Sequence, residues 1–141
     1  MKTLCIIAGA NGSGKTTFAK SFIIETTLSG KYLINYIKKA QSLGYQVSLI
    51  IKLGNHNVVK LDILRVKNRV LNGGHYIPKD DIIRRYHRSK SMFYNTYKDL
   101  VDDWNVYYNT NDIFEEIANK DVILDSEKYN ELIKDLDAND R

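Results

Sequence analysis

The sequence predicts an α/β fold built around a mostly parallel sheet. Short apolar, β-branched stretches alternate along the chain with longer stretches in which apolar residues recur every three or four positions. Such alternation is typical of parallel strands joined by helices, with ligands bound at the carboxyl ends of the strands. The 141 residues, 43% hydrophobic and 27% charged, match one globular unit, so we expect a single domain over residues 1–141.

The first half of the chain shows the alternation clearly. Residues 3–8 are predicted to form a short buried strand. Residues 31–43 are predicted to form a helix, with Ser29 as its N-terminal cap and Gly44 as its stop. Residues 45–51 follow as a second core strand.

The second half continues the pattern from a helix at residues 57–71, which a Gly-Gly pair ends. Pro78, followed by two aspartates, opens a longer helix that reaches about Val101. The remaining predicted elements are a strand at 104–108, a helix at 112–119, a strand at 122–124 and a helix at 126–136.

The residues that follow the first predicted strand match the pattern G-x-x-x-x-G-K-[ST] over positions 9–16. Gly9, Gly12 and Gly14 lack side chains, so successive backbone N–H groups can converge on a phosphate at a helix N-terminus. The sequence therefore predicts a phosphate-binding loop for a nucleoside triphosphate, most simply ATP with Mg²⁺. The predicted nucleotide-binding residues are Gly9, Ala10, Asn11, Gly12, Ser13, Gly14, Lys15, Thr16 and Thr17.

Three side chains in this motif have predicted roles in the chemistry. Lys15 should bridge the β- and γ-phosphates, and the Thr16 hydroxyl should ligate Mg²⁺. Thr17 is a candidate contact of the α-phosphate. An ordinary glycine-rich turn before a helix is the alternative interpretation.

The charge distribution favours an anionic ligand near the middle of the chain. Residues 60–90 hold nine Lys or Arg against three acids, whereas residues 111–141 hold four against ten. A nucleic acid is a less favoured ligand because no recognised reading motif accompanies these charges. The first apolar stretch is too short for a membrane span, and the single cysteine, Cys5, is expected to be buried and inert. We therefore expect a cytoplasmic protein with no membrane partner.

Five stretches of the chain together resemble the zeta-toxin family and its relatives, the predicted ABC-type ATPases. They are residues 6–19, 25–30 (Glu-Thr-Thr-Leu-Ser-Gly), 73–78 (Gly-Gly-His-Tyr-Ile-Pro), 82–88 and 104–110. The resemblance implies a three-layer fold of the P-loop NTPase type and a small-molecule kinase. Zeta toxins phosphorylate a UDP-activated amino sugar, so the resemblance also implies a small-molecule acceptor with a hydroxyl group.

The chain differs from the family between Lys20 and Glu25. In the family, a long segment with a strand and the acid thought to activate the acceptor precedes the Glu-Thr-Thr motif, whereas here only residues 21–24 intervene. We therefore expect a sheet truncated by one βα segment, with an open edge that favours dimers. A nucleotide-binding module without turnover, acting through a partner protein, is the alternative to a kinase.

The shortened connection also bears on local structure. A helix that runs back along a strand of about 20 Å needs about 13 residues, and residues 16–20 are too few. We therefore predict one continuous helix over residues 15–27, with a strand at residues 22–25 as the alternative. In a strand, Glu25 could serve a metal ion or the acceptor hydroxyl, whereas in a helix it would simply be exposed.

The candidate catalytic residues are Lys15, Glu25, Arg84 and Arg88. Arg84 and Arg88 lie four apart on a predicted helix, where they either stabilise a transferring phosphoryl group in the family's lid or form a solvated basic face.

Five further side chains have simpler interpretations. Arg65 and Arg69 have the same four-residue spacing but no motif, so we expect them on the surface. Asp125 is either a metal-site acid or an N-terminal cap. His75 and His87 are too isolated to indicate a metal site.

Overall fold

A computed structural model of the chain describes residues 2–9, 23–54, 64, 67–74, 78–110, 113–134 and 136. Five strands form one sheet in the order β2-β1-β3-β4-β5. Their bounds are Lys2–Gly9 (β1), Ile23–Thr26 (β2), Tyr45–Leu53 (β3), Asp103–Thr110 (β4) and Ile113–Asn119 (β5). The first four run parallel and β5 runs antiparallel to β4, so the predicted α/β fold with a mostly parallel sheet is confirmed.

The predicted continuous helix over residues 15–27 is wrong at its carboxyl end, because Ile23–Thr26 is a strand. It pairs in parallel with β1, with Cys5 opposite Ile23 and Ala8 opposite Thr26. The alternative prediction of a strand at residues 22–25 was therefore correct to within a residue. A β-branched pair, Ile23-Ile24, beside an apolar neighbouring strand suits a pleated surface better than a helix. Residues 10–22 lie outside the described part of the chain.

The predicted helix at residues 112–119 is also wrong. Ile113–Asn119 forms β5, which hydrogen-bonds to β4 with a register shift between Val106 and Tyr107. Exposed and partly buried side chains alternate at the start of β5, and Ile117 and Ala118 are fully buried at its end. This two-residue period suits a strand against a sheet, and the pairing with β4 outweighs the helix propensity of Glu115 and Glu116.

Residues 122–124 form no full strand, contrary to the prediction. A single antiparallel bridge joins Ile123 to Ala118. Val122, Ile123 and Leu124 are 48%, 42% and 56% exposed. Their apolar character therefore does not place them in the core.

Helix α1 spans Ile34–Ser42, so it begins three residues later than predicted. Leu33 is its N-cap residue and provides no side-chain cap. The Ser29 hydroxyl instead pairs with Thr27 at 3.0 Å, so the predicted cap at Ser29 is wrong. The predicted stop is confirmed, because Gly44 takes a left-handed φ of 87° that favours glycine.

Helix α2 spans Lys79–Met92 directly after Pro78, as predicted. It continues through a π-helical turn, Phe93–Tyr97, and a last α-helical turn, Lys98–Leu100. Ahead of it, residues 67–71 are helical and Gly73 has a φ of 86°, in agreement with the carboxyl end of the helix predicted at 57–71 and with its glycine stop. Residues 57–63 lie outside the described part of the chain.

Helix α3 spans Ser126–Ile133. The Asp125 carboxylate accepts a hydrogen bond from the Lys128 backbone N–H at 3.1 Å. Of the two interpretations of Asp125, the structure thus supports the N-terminal cap.

The main core lies on the face of the sheet that α1, the end of α2 and α3 cover. Tyr97 and Phe93 fill its centre, and the Phe93 ring meets the Trp104 ring edge to face at 5.4 Å between centroids. Leu49, Ile51 and Val106 supply the sheet side and are fully buried. In this sheet β1 is an interior strand, between β2 and β3.

Candidate phosphate-binding site

The order of the strands predicts a binding crevice at the carboxyl end of β1. The chain passes from β1 to β2 on one side and then returns to β3 on the other side. In open parallel sheets, such a reversal point separates the loops of neighbouring strands and leaves room for a ligand. The predicted phosphate motif begins at Gly9, the last residue of β1. The structure thus places the start of the motif at this crevice, while residues 10–17 lie outside the described part.

Lys52 is a buried cation at the same end of the sheet, and sequence reasoning missed it. It is the register partner of Gly9 and is only 2% exposed. Its Nζ lies 4.2 Å from the centroid of the Phe114 ring, a favourable cation–π distance. The sequence signal that could have revealed Lys52 is its position inside the apolar run of residues 47–53. A lysine buried in such a strand needs a partner that compensates its charge, so it marks a candidate site.

Asn109 is a second buried polar residue at this end of the sheet that was missed. It is 2% exposed, it lies near the end of β4, and it is the register partner of Phe114. Among the described residues, its Oδ1 has no hydrogen-bond partner. Lys52, Phe114 and Asn109 therefore form a polar and aromatic cluster across the ends of β3, β4 and β5.

A charged group also lies farther down this face. Asn105 donates a hydrogen bond to the Glu116 carboxylate at 2.7 Å. Burial raises the pKa of the Tyr107 hydroxyl above its ordinary value of 10.0, and the nearby Glu116 charge raises it further. This face of β4 and β5 is thus more polar than the opposite, core face.

Glu25, predicted as a candidate catalytic acid, lies on β2 and is exposed. It is the register partner of Ile7, two residues before Gly9 on the neighbouring strand. At about 3.3 Å per residue, the Glu25 backbone lies roughly 7 Å short of the start of the motif, measured along the strands. The structure therefore brings Glu25 into the neighbourhood of the motif, one strand away.

The residues after Glu25 form a tight turn that explains part of the Glu-Thr-Thr-Leu-Ser-Gly sequence. The Thr26 hydroxyl accepts a hydrogen bond from the Leu28 N–H at 3.0 Å and also pairs with the Tyr32 hydroxyl. Leu28 has a left-handed φ of 55° and is fully buried. An uncommon backbone conformation for leucine is thus held by side-chain packing and by the Thr26 hydrogen bond.

The arginines of the predicted lid lie on α2. Arg84 and Arg88 are both exposed and, being four apart, share one side of the helix. Arg84 forms an ion pair with Asp81 at 3.2 Å, a surface contact worth at most about 1 kcal/mol. The exposure leaves both guanidinium groups accessible to an anion. Arg69 is exposed as predicted, while Arg65 and His75 lie outside the described residues.

Neither a metal cluster nor a membrane helix is found in the described part. No three His, Cys, Asp or Glu side chains in it group closely enough to hold a metal ion. The described helices are too short or too polar to cross a membrane. Cys5 is half-buried, less than expected, and desolvation raises its thiol pKa, which disfavours the reactive thiolate.

Sequence comparison finds a partial relative of the chain. No family model matches the chain. An uncharacterized protein of Haemophilus influenzae is 38% identical over 65 residues, a stretch that covers 46% of this chain and 45% of that protein. The match thus spans about half the length of this curated relative.

A solved structure extends the comparison to nearly the whole chain. It is a chain from the PezAT chromosomal toxin–antitoxin system of Streptococcus pneumoniae, with a TM-score of 0.59 and 11% identity. The similarity covers 93% of this chain and 78% of that chain. At this identity the similarity shows a shared fold. The five-stranded, mostly parallel sheet is consistent with a fold of the P-loop NTPase type.

Proposed function

We propose that this chain binds ATP with Mg²⁺ through residues 9–17 and is a phosphotransferase of the P-loop kinase type. The observation that carries the proposal is the position of Gly9. The G-x-x-x-x-G-K-[ST] pattern begins where the interior strand β1 ends, at the reversal point of the parallel part of the sheet. The fold similarity to a toxin–antitoxin chain supports the same class.

The residues of the motif suit the chemistry of a triphosphate. Glycine N–H groups would surround the β-phosphate, and Lys15 would neutralise the β- and γ-oxygens. Thr16 would hold Mg²⁺, which supplies charge neutralisation when it is bound. The buried Lys52 beside Gly9 adds positive charge to the same end of the sheet.

The transfer step that we propose uses Glu25 and the arginines of α2. An acceptor hydroxyl oxygen would attack the γ-phosphorus as the bond to the β–γ bridging oxygen breaks, which releases ADP. The hydroxyl proton would pass to the Glu25 carboxylate, and Arg84 and Arg88 would stabilise charge on the transferred group. By resemblance to zeta toxins, the acceptor is a UDP-activated amino sugar.

A nucleotide-binding module without turnover is the second candidate. The position of Glu25 favours it, because this exposed carboxylate lies two residues short of Gly9 along the strands. Such a module would act through a partner protein, in keeping with the toxin–antitoxin origin of the structural neighbour.

Calorimetry of ATP binding with and without Mg²⁺ tests the proposal. We expect wild-type protein to bind, and Lys15→Ala to lose at least tenfold in affinity. Lys39→Ala is the matched control, because Lys39 lies on α1 beside the amino ends of β1 and β3. A folded wild type that binds no ATP would overturn both candidates.

ADP release in the same samples separates the two candidates. ADP release above background that Glu25→Gln abolishes would support the kinase. Tight ATP binding without any ADP, with and without UDP-activated amino sugars, would favour the module.

A further inference from the structure

The two edges of the sheet differ in how they are covered. Residues 122–125 cover the outer edge of β5, since the backbone N–H groups of Leu124 and Asp125 both donate to the Ile117 carbonyl, at 2.8 and 2.9 Å. At the other edge, β2 pairs with β1, and no other described strand pairs with it. A strand edge without a partner among the described strands is a template for pairing with another chain.

An apolar groove lies beside the β2 edge. It has a volume of about 590 Å³, and Leu4 and Ile24 from the sheet and Tyr36, Ala40 and Leu43 from α1 contribute to its walls. Tyr36 is 52% exposed and Leu43 is 60% exposed. Large exposed apolar side chains around a groove mark an interaction surface more often than isolated ones do.

We propose that the β2 edge and this groove together form an interface with a second copy of this chain. A two-fold axis perpendicular to the sheet would pair β2 with its symmetry mate in antiparallel orientation and extend the sheet across both copies. The same axis keeps α1 and its mate on one face, so the two grooves face each other across the new strand pair. Each copy would then bury its own Tyr36 and Leu43 against the other.

The polar side chains of β2 permit this pairing. When the pair is centred on Ile24, each Glu25 lies opposite position 23 of the second copy, an isoleucine, and not opposite its like charge. Among the described residues that line the groove, Lys39 is the only charged one. Like charges therefore do not dominate the described part of this surface.

The interface area requires the groove as well as the strand edge. A stable interface buries roughly 800 Å² on each partner, which is more than four strand residues supply. The exposed side chains of α1 and the adjoining Tyr45, which is 37% exposed, provide further apolar surface. We therefore expect variants of α1 to disrupt the dimer although β2 itself is unchanged.

Sedimentation velocity over a range of protein concentrations tests the proposal. We expect wild-type protein to dimerise, and the double variant Tyr36→Glu with Leu43→Glu to weaken the dimer at least tenfold. Ile113→Glu is the matched control, since Ile113 is 71% exposed on β5, next to the opposite edge. Thermal melts would establish that both variants fold.

Hydrogen exchange separates this dimer from any other. Amides of Ile23–Thr26 should exchange more slowly as protein concentration rises, while those of Ile113–Asn119 should not change. A wild type that stays monomeric up to roughly 100 μM, far above the Kd of a micromolar interface, overturns the proposal. So does a dimer that the Ile113→Glu variant weakens and the double variant does not.

Discussion

Tyr97→Phe should destabilise the protein through two hydrogen bonds. The Tyr97 side chain is fully buried in the π-helical turn of α2. Its hydroxyl donates to the Gly30 carbonyl at 2.6 Å and accepts from the Leu33 N–H at 3.3 Å. These bonds join the π-helical turn after α2 to the connection between β2 and α1. Gly30 and Leu33 are 67 and 64 positions away from Tyr97 in sequence.

The structure sets the size of the effect. Phenylalanine fills nearly the same space, so no large cavity forms, but a carbonyl and an N–H group lose their partner. A buried polar group without a partner costs about 1–3 kcal/mol, and the 3.3 Å bond to Leu33 is long and contributes less. We therefore expect a loss of about 2 kcal/mol. With an unfolding entropy of about 2.1 cal/mol/K per residue over 141 residues, this corresponds to a fall in Tm of about 7 °C.

Urea unfolding followed by circular dichroism measures the effect. The urea midpoint of Tyr97→Phe should fall, while the slope of the unfolding free energy against urea concentration should not change. The variant and the wild type expose similar surface on unfolding. Tyr36→Phe is the control, since it removes a hydroxyl from a side chain that is 52% exposed. Equal midpoints for Tyr97→Phe and wild type would refute the idea that this hydroxyl holds the Gly30 connection in place.

Three further predictions concern stability. Asp125→Ala should cost about 1 kcal/mol because α3 loses its cap, whereas Ser126→Ala should leave the urea midpoint nearly unchanged. Asp102→Ala should cost about 1–3 kcal/mol, because the Asp102 carboxylate accepts the backbone N–H of Val47 at 2.7 Å; an unchanged midpoint would contradict this role. Burial raises the pKa of the Tyr97 hydroxyl above 10.0, so the neutral hydroxyl stabilises the folded protein fully below pH 10. This stability is lost as the pH rises through the folded-state pKa. Thermal melts between pH 8 and 11 should show this loss, and Tyr97→Phe should make it smaller.

The elements that sequence patterns predicted well are those with local signals. β1 combines β-branched apolar residues with a glycine-rich loop, and α2 combines Pro78 with two aspartates in its first turn. Gly44 and Gly73 ended their helices as predicted because each takes a left-handed φ. Such signals act within a few residues and need no knowledge of the rest of the fold.

The elements that were mispredicted depend on distant neighbours. β2 has only four residues and gains its hydrogen bonds from β1, and β5 gains its hydrogen bonds from β4. Neither pairing leaves a strong local signal, so helix propensity misled the prediction for residues 112–119. The buried polar residues of the site were missed for the same reason. Lys52 and Asn109 are separated by 57 positions in sequence and come near each other only where β3 and β4 end side by side.

The phosphate motif and the groove of the proposed dimer surface lie at opposite ends of β1, so the two proposals can be tested separately. Leu4 contributes to the groove wall, and Gly9 begins the motif, five residues farther along the strand. At about 3.3 Å per residue, roughly 17 Å separates them. Lys15→Ala should therefore abolish ATP binding and leave the sedimentation behaviour unchanged, while Tyr36→Glu with Leu43→Glu should do the reverse. If both folded variants lost both properties, the two surfaces would be coupled through β1 and β2, which both line the groove and lead to the motif.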